Sequence, residues 1–354
     1  MKLYFASLDW GRRNTAASKA PKDVETILIK MGGVKLPVKT VYSHGFISRY
    51  RLDYPYKKIS VCRSWKKIYN DIEPESAVVI QHPVQMAREV IRYVKKLQSD
   101  KGCRIILLIH DLESLRNGVY KGSYRAGRSN FNDRVFLNCC DKIICHNYRM
   151  KNYLTETGIP EEKIVELGIF DYICEDNRRK CEFNRTVAIA GNMSGYKSGY
   201  IYEFANSVTK IGVELFGVNF DETREIGNAI YKGNFTPEEL VRNIRASFGI
   251  VWDGPVMDGC TGNTGEYLRY NNPHKLSLYL ASNMPVIVWK ESAAAEFVIN
   301  NGVGFAVDSL DEAENILIKM SYEEYEKYFN NACIVGDRLR NGEYTRNAVM
   351  KCMN

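Results

Sequence analysis

The 354-residue chain carries 49 Lys and Arg against 42 Asp and Glu, with 45% hydrophobic and 26% charged residues, which excludes disordered, collagen-like and small disulfide-scaffold proteins. At this length two domains of roughly 150 to 180 residues are expected, each able to bury its own core, and no apolar run approaches the roughly 18 residues that span a bilayer. The charge is lopsided: residues 1–150 hold 28 Lys and Arg against 13 Asp and Glu, net +15, while residues 151–354 hold 21 against 29, net −8. In chain order, short apolar runs at 2–6, 77–81, 104–109 and 142–145 read as strands, and the periodic segments 84–97 and 148–155 read as helices between them. This alternation predicts a parallel sheet with crossover helices, whose working groups collect at the carboxyl ends of the strands. The polar stretch EDNRRKCEFN before residue 185 reads as a linker. A second series of strands follows at 186–190, 213–217, 248–252, 285–289 and 304–307, and a helical tail from about residue 335 is expected to cross back to the first domain.

The N-terminal stretch MKLYFASLDWGRRN lacks a small-residue cleavage site, so a secretory signal is not expected. The ten cysteines are scattered, without a C-x-x-C pair, and read as free thiols of a reducing compartment. A basic half suits a nucleic-acid reader, but no helix-turn-helix, zinc-finger or RNP-like pattern accompanies it, and no nucleic-acid partner is expected. An acceptor on an anionic membrane, or one bearing a lipid diphosphate, suits the same charge.

The densest chemistry lies in GEYLRYNNPHKLSLYLASNMPVIVW, residues 265–289. Pro273 is expected at the first position of a helix whose leading amides and dipole attract an anion. Asn271, Asn272 and His274 add polar side chains, Lys275 adds a mobile cation, and a diphosphate is the natural occupant. Asn283 reads as the end of this helix. Upstream, the strand at 186–190 runs into Gly191 and Asn192, a glycine-bearing loop that allows close backbone approach, followed by Lys197. Gly217 ends the next strand. Tyr231, beside Gly233, offers a flat face on which a base can stack. Asp253 and Asp258 suggest a cation, but no histidine pair or other ligand accompanies them, and no metal is expected. In the first half, His110, Asp111 and Glu113 follow a buried strand. Asp111 is the leading candidate for a general base, Glu113 the second and His110 the third; the alternative is that Asp111 merely caps the helix DLESLR. His82 and Asn147 also end strands and are candidates for an acceptor cleft.

These stretches, together with AGNMSGYKSGYI, YKGNFTPEEL, FGIVWDG, CDKIICHN and IFDY, resemble the donor half and core of GT-B glycosyltransferases, with two Rossmann-like domains facing a central cleft. More narrowly, nearly the whole chain resembles a bacterial family that contains galactofuranosyltransferases of surface polysaccharides and glucosyltransferases extending glycans on serine-rich-repeat adhesins. The resemblance implies domains at 1–175 and 185–334 and a returning helix at 335–354. It implies transfer of a galactofuranosyl or glucosyl unit from a UDP-sugar co-substrate to an acceptor sugar, without cofactor or metal, in a cytoplasmic enzyme that self-associates. It assigns Lys197 to the diphosphate, Tyr231 to the uridine pocket, and Asn14, Thr15 and Lys19 to a loop near the acceptor, although NTAASKA lacks that loop's glycine. Tyr270 and Leu278 stand where many retaining members of the class carry two glutamates, so inversion and retention both stay open. Two rival readings are a sugar-nucleotide epimerase or hydrolase and a non-catalytic glycan-binding or transferase-partner protein.

Overall fold

The computed structural model describes residues 1–8, 16–39, 53–118, 124–176 and 179–354, with side chains left out at 16–17, 124–130 and 196. The candidate residues Asn14 and Thr15 lie outside the described residues. The first domain is a six-stranded parallel sheet of order β2-β1-β3-β4-β5-β6. Its strands are β1 (Leu3–Leu8), β2 (Val34–Val38), β3 (Ala77–His82), β4 (Arg104–Ile109), β5 (Lys142–Cys145) and β6 (Ile164–Glu166). The helices are α1 (Ala16–Lys30), α2 (Tyr54–Asp71), α3 (Ala87–Lys101), the short α4 (Glu113–Arg116), α5 (Tyr124–Cys139) and α6 (Tyr148–Glu156). Ile105 to Ile109 and Ala77 to Val79 are fully buried. Such continuous apolar strands are what a parallel sheet covered on both faces requires.

Val61, Trp65, Val90, Val94 and Phe136 bring α2, α3 and α5 onto one face of this sheet. The other face packs Val24 and Leu28 of α1 against Ala348, Val349 and Cys352 of the last helix, α15 (Glu343–Met353). The C-terminal helix thus completes the core of the first domain. Asp171 secures its start by accepting the Tyr344 and Thr345 amides at 3.2 and 2.7 Å, and Arg104 bonds the Cys352 and Met353 carbonyls at its end.

The second domain repeats the architecture with order β12-β11-β10-β7-β8-β9. Its strands are β7 (Thr186–Asn192), β8 (Gly212–Val218), β9 (Ile230–Gly233), β10 (Phe248–Val251), β11 (Val286–Trp289) and β12 (Gly304–Val307). The helices are α7 (Gly195–Ser198), α8 (Tyr200–Ser207), α9 (Pro237–Asn243), α10 (Gly262–Tyr267), α11 (His274–Ala281), α12 (Ala294–Asn300), α13 (Leu310–Lys319) and α14 (Tyr322–Arg340). Strands β2, β6 and β9 leave no continuous apolar run in the sequence. All three are sheet edges, where one side of the strand is unpaired and a continuous apolar run is unnecessary; Pro37 sits within edge strand β2, as an edge permits.

Helix α11 is buried on every side beyond its first turn, with Leu276, Tyr279, Leu280 and Ala281 fully enclosed. Its position is fixed from three directions. The Tyr279 ring lies over Gly249 of β10, where any Cβ would strike the ring, and its hydroxyl accepts the Ala190 amide at 2.7 Å. At the other end, Asn283 takes a left-handed turn with φ 55°, and Arg340 of α14 donates to the Ala281 carbonyl and to Asn283 Oδ1 at 2.6 and 2.8 Å. Ser277 Oγ donates to the Phe170 carbonyl at 2.6 Å, tying the helix to the segment between the domains.

Candidate active site

The ends of β4, β5, β7 and β10 and the start of α11 converge where the domains meet. The helix begins one residue later than the sequence reading placed it: Pro273 is the cap, with ψ 142°, and His274 and Lys275 form the first turn. Lys275 Nζ donates to the Trp252 carbonyl and to Asp253 Oδ1, each at 2.8 Å, with both side chains largely buried. Asp253 is therefore the counter-ion of Lys275, whereas Asp258 is exposed on the same loop. Gly254 donates to the Lys197 carbonyl at 2.8 Å, so the WDG segment holds the Lys197 loop beside Lys275. Asp253 exerts the strongest single influence on Lys197 and favours its charge, but burial with repulsion from Lys275 and Arg116 outweighs this and lowers the Lys197 pKa. Asp111 also acts on Lys197, so the candidate base and the paired lysines lie within electrostatic reach across the interdomain gap.

At the end of β7, Gly191 pairs with Gly217 of β8, both with positive φ, 141° and 149°. A side chain on Gly217 would run into the Gly191 carbonyl, so Gly217 serves the strand crossing, while space in front of Gly191 is open. Asn192 Oδ1 accepts from the Ser194 amide and from Asn219 Nδ2, each at 3.0 Å, which shapes the loop leading to Lys197. Tyr231 stacks on Phe220 with centroids 4.2 Å apart and donates to the Gly217 carbonyl at 2.8 Å. Gly233, two residues on, has φ 100°.

Across the gap, Asp111 is 30% exposed and accepts from Arg116 Nη1 at 2.7 Å. Burial raises the Asp111 pKa above the usual carboxylate range against the opposing pull of Arg116, Tyr267 and Lys197. Glu113 is raised as well, by burial and then by Asp133. Glu113, Arg116 and Asn117 line a polar cavity of about 270 Å³ together with Asn263 and Thr264 of α10.

Several assignments change. His110 donates to Gln81 Oε1 at 2.6 Å and stacks on Phe170, and burial drives its pKa to about 3; an imidazole that binds a proton so weakly orients the loop and makes a poor base. His82 is fully buried and pairs with Asp133 at 2.8 Å, and Asp133 accepts the Ser114 amide at 2.8 Å, so His82 sets the start of α4 and does not line an acceptor cleft. Lys19 is also buried, bonded to Asp23 and to the Ile173 carbonyl at 2.7 Å, with its ammonium 4.4 Å from the Tyr172 ring centroid. It joins α1 to the interdomain segment and leaves no proton for an acceptor sugar.

Asn147 caps α6 through the Met150 amide and donates to the Tyr270 carbonyl and Asn272 Oδ1 at 3.0 and 2.9 Å. Asn272 in turn donates its amide to His146 Nδ1 at 3.0 Å and its side chain to the Gly168 carbonyl. Both asparagines are thus consumed in a clasp between the domains, which takes Asn147 from the acceptor and the Asn272 side chain from the diphosphate. His146 donates through Nε2 to the Ile109 carbonyl, so the clasp uses a neutral imidazole, and burial keeps its pKa near 4. Asn271 Oδ1 and His274 Nε2 are buried without a hydrogen-bond partner among the described residues. His274 lies against Phe170 and Tyr172, its pKa lowered to about 3 by burial and by Lys19. Arg116 and Tyr267, central to this geometry, carried no recognisable signal in the sequence.

Two doubly wound domains, with a cationic helix start on one side of the gap and a carboxylate on the other, have the architecture of GT-B glycosyltransferases. The comparisons agree and narrow the class. Residues 3–169 match the N-terminal domain, and residues 187–352 the C-terminal domain, of the family described as Glucosyltransferase 3-like, and the chain belongs to that family. It is 36% identical over 251 residues to β-1,6-galactofuranosyltransferase WbbI of Escherichia coli (strain K12), spanning 70% of each chain. It is 24% identical to glucosyltransferase 3 of Streptococcus gordonii, over 77% of this chain and 78% of that one. Among solved structures, Anabaena HepE in complex with UDP and glucose superposes with a TM-score of 0.60 at 11% identity, over 99% of this chain and 98% of its own. The lipopolysaccharide outer core galactosyltransferase WaaB superposes at 0.58 and 12% identity, over 99% of both chains.

The lowered Lys197 pKa carries a consequence for ligand binding. An ammonium must keep its proton to hold a diphosphate, and a terminal phosphate with a second pKa of about 6 is already fully ionised at alkaline pH. UDP affinity, measured calorimetrically, is expected to fall as pH rises, beginning below the ordinary lysine range, and Lys197→Gln is expected to flatten this decline.

Proposed function

We propose that this protein transfers a hexose, galactofuranose or glucose, from a UDP-sugar to a hydroxyl group of a glycan or glycoprotein-linked acceptor, without a metal ion. The observation that carries this reading is the placing of Lys197 and Lys275 beside the first turn of α11, opposite Asp111. Two ammonium groups and a helix N-terminus are the means by which a site neutralises charge developing on a leaving diphosphate. In the inverting form of the reaction, Asp111 takes the acceptor hydroxyl proton as that oxygen bonds the anomeric carbon. The bond between that carbon and the UDP oxygen breaks, and its electron pair leaves with UDP. Tyr231, stacked and hydroxyl-anchored, is proposed to face the uracil. The relatives named above favour transfer over epimerisation or hydrolysis.

Selective thermal stabilisation by UDP over GDP, ADP and dTDP, undiminished by EDTA, is the expected outcome. Lys275→Ala is expected to weaken UDP binding by about tenfold or more and to cut turnover, because it removes a charge-assisted contact. Unchanged UDP affinity in that variant would remove the diphosphate assignment.

No helix among the described residues is long and apolar enough to cross a membrane. All ten cysteines are free thiols, which supports a reducing, cytoplasmic setting. The outer faces of α2 and α3 expose Arg63, Lys66, Arg92, Lys95 and Lys96 beside Tyr56 and Ile59, a composition suited to the surface of an anionic bilayer. Co-sedimentation with phosphatidylglycerol vesicles is expected, weakening with salt and on reversing the charges of Arg92, Lys95 and Lys96. Equal sedimentation with neutral vesicles would contradict it. Self-association remains part of the proposal through the family alone.

A further inference from the structure

Tyr267 ends α10 in the second domain, yet its hydroxyl lies in the loop after β4 of the first. It accepts the Leu112 amide at 2.9 Å, beside Asp111 in the chain and within electrostatic reach of that carboxylate, and the residue is only 5% exposed. With the Leu112 amide donating to its oxygen, the hydroxyl is committed to the loop that carries Asp111. Arg116, on α4 of the first domain, holds Asp111 Oδ2 from another direction. The carboxylate and the loop that carries it are therefore held from both domains, by Arg116 of the first and Tyr267 of the second. Gly118 lies at the same joint: a Cβ there would press on the Asn263 side-chain amide of α10, which shows how closely the loop and that helix approach.

We propose that Tyr267 is a positioning residue for the carboxylate at Asp111, so that the base is set only when the donor-binding domain is docked on the acceptor-side domain. This rests on the reading of Asp111 as the base. Substrate binding at the lysines of the second domain and proton removal in the first are then coupled through one hydroxyl. An enzyme with its domains apart holds a misaligned base and does not spend the donor on water.

Among the described residues, the charged and titratable groups facing Asp111 are Arg116 and Glu113 on α4, Lys197 on α7 and Tyr267 on α10. Burial raises the Asp111 pKa, and Arg116, Tyr267 and Lys197 counter it. The base acts only when ionised, so activity falls as pH drops through this raised value. Removing the Tyr267 hydroxyl removes one lowering influence and moves that acid limb to higher pH.

The test compares the wild type, Tyr267→Phe and Asp111→Asn, using UDP-galactofuranose and UDP-glucose as donors and a panel of octyl glycosides as acceptors. The pH profile of kcat/KM is recorded, with UDP affinity measured separately. Tyr267→Phe is expected to lower kcat by about tenfold or more, since it leaves the Leu112 amide unpaired and frees the loop that carries the base, with UDP affinity within about twofold of wild type and the acid limb displaced upward. Incorporating a fluorotyrosine at position 267, similar in shape but a weaker acceptor for the Leu112 amide, is expected to lower kcat in the same direction by a smaller factor and covers the case in which the Phe variant folds poorly. If Asp111→Asn is inactive while both position-267 variants keep the wild-type profile, the positioning role is overturned and the base assignment stands. Full activity in Asp111→Asn overturns the base assignment itself.

Discussion

The site depends on the immobility of one short helix. Eight residues of α11 carry Lys275 to the interdomain gap, and a helix of that length has too little internal hydrogen bonding to persist alone. It persists because its surroundings enclose it. Tyr279 fills the space left by Gly249 and anchors β7 just before Gly191, Arg340 caps the far end, and Asn272 binds its leading turn to His146 and the Gly168 carbonyl. Each of these contacts comes from a different part of the chain, including α14 at the far C-terminal side. The helix start and the Gly191 loop are consequently positioned relative to each other before any ligand arrives, which is the preorganisation that electrostatic catalysis requires.

Charge at the site is held in a balanced arrangement. Lys275 without a partner in this partly buried position would suffer a desolvation cost, which Asp253 offsets at hydrogen-bond distance. The same aspartate is the largest favourable influence on Lys197. A diphosphate brings more negative charge than one carboxylate and can draw both ammonium groups. Arg116 and Asp111 form a second ion pair on the facing domain, so Lys275 and Arg116, one on each side of the gap, each meet a carboxylate of the protein.

The interior of both sheets was legible in the sequence because central parallel strands are unbroken apolar runs, as at Arg104–Ile109, and glycine and proline mark their ends. The edges were not: Val34–Val38 contains lysine and proline, and Ile230–Gly233 is only partly covered. At the site, the helix start at 271–275 and the carboxylates after β4 stood out by residue type. What composition could not separate was a polar residue that faces ligand from one that fastens the fold. His82 and Lys19 look like strand-end and loop functional groups, but burial with Asp133 and Asp23 consumes them. Asn147 and Asn272 are taken by each other, a pairing across 125 positions that no local pattern reveals. Tyr267 reads as an ordinary apolar helix residue, and only the docking of the domains brings its hydroxyl to the Leu112 amide beside Asp111.

The most direct measurement of the central claim is the structure of this protein with UDP bound. The account expects the diphosphate at the first turn of α11, with Lys275 Nζ drawn from Asp253 to a phosphate oxygen and Lys197 on the other side. UDP bound elsewhere, or at this helix with the Lys275 to Asp253 pair intact and no phosphate near either lysine, would contradict it.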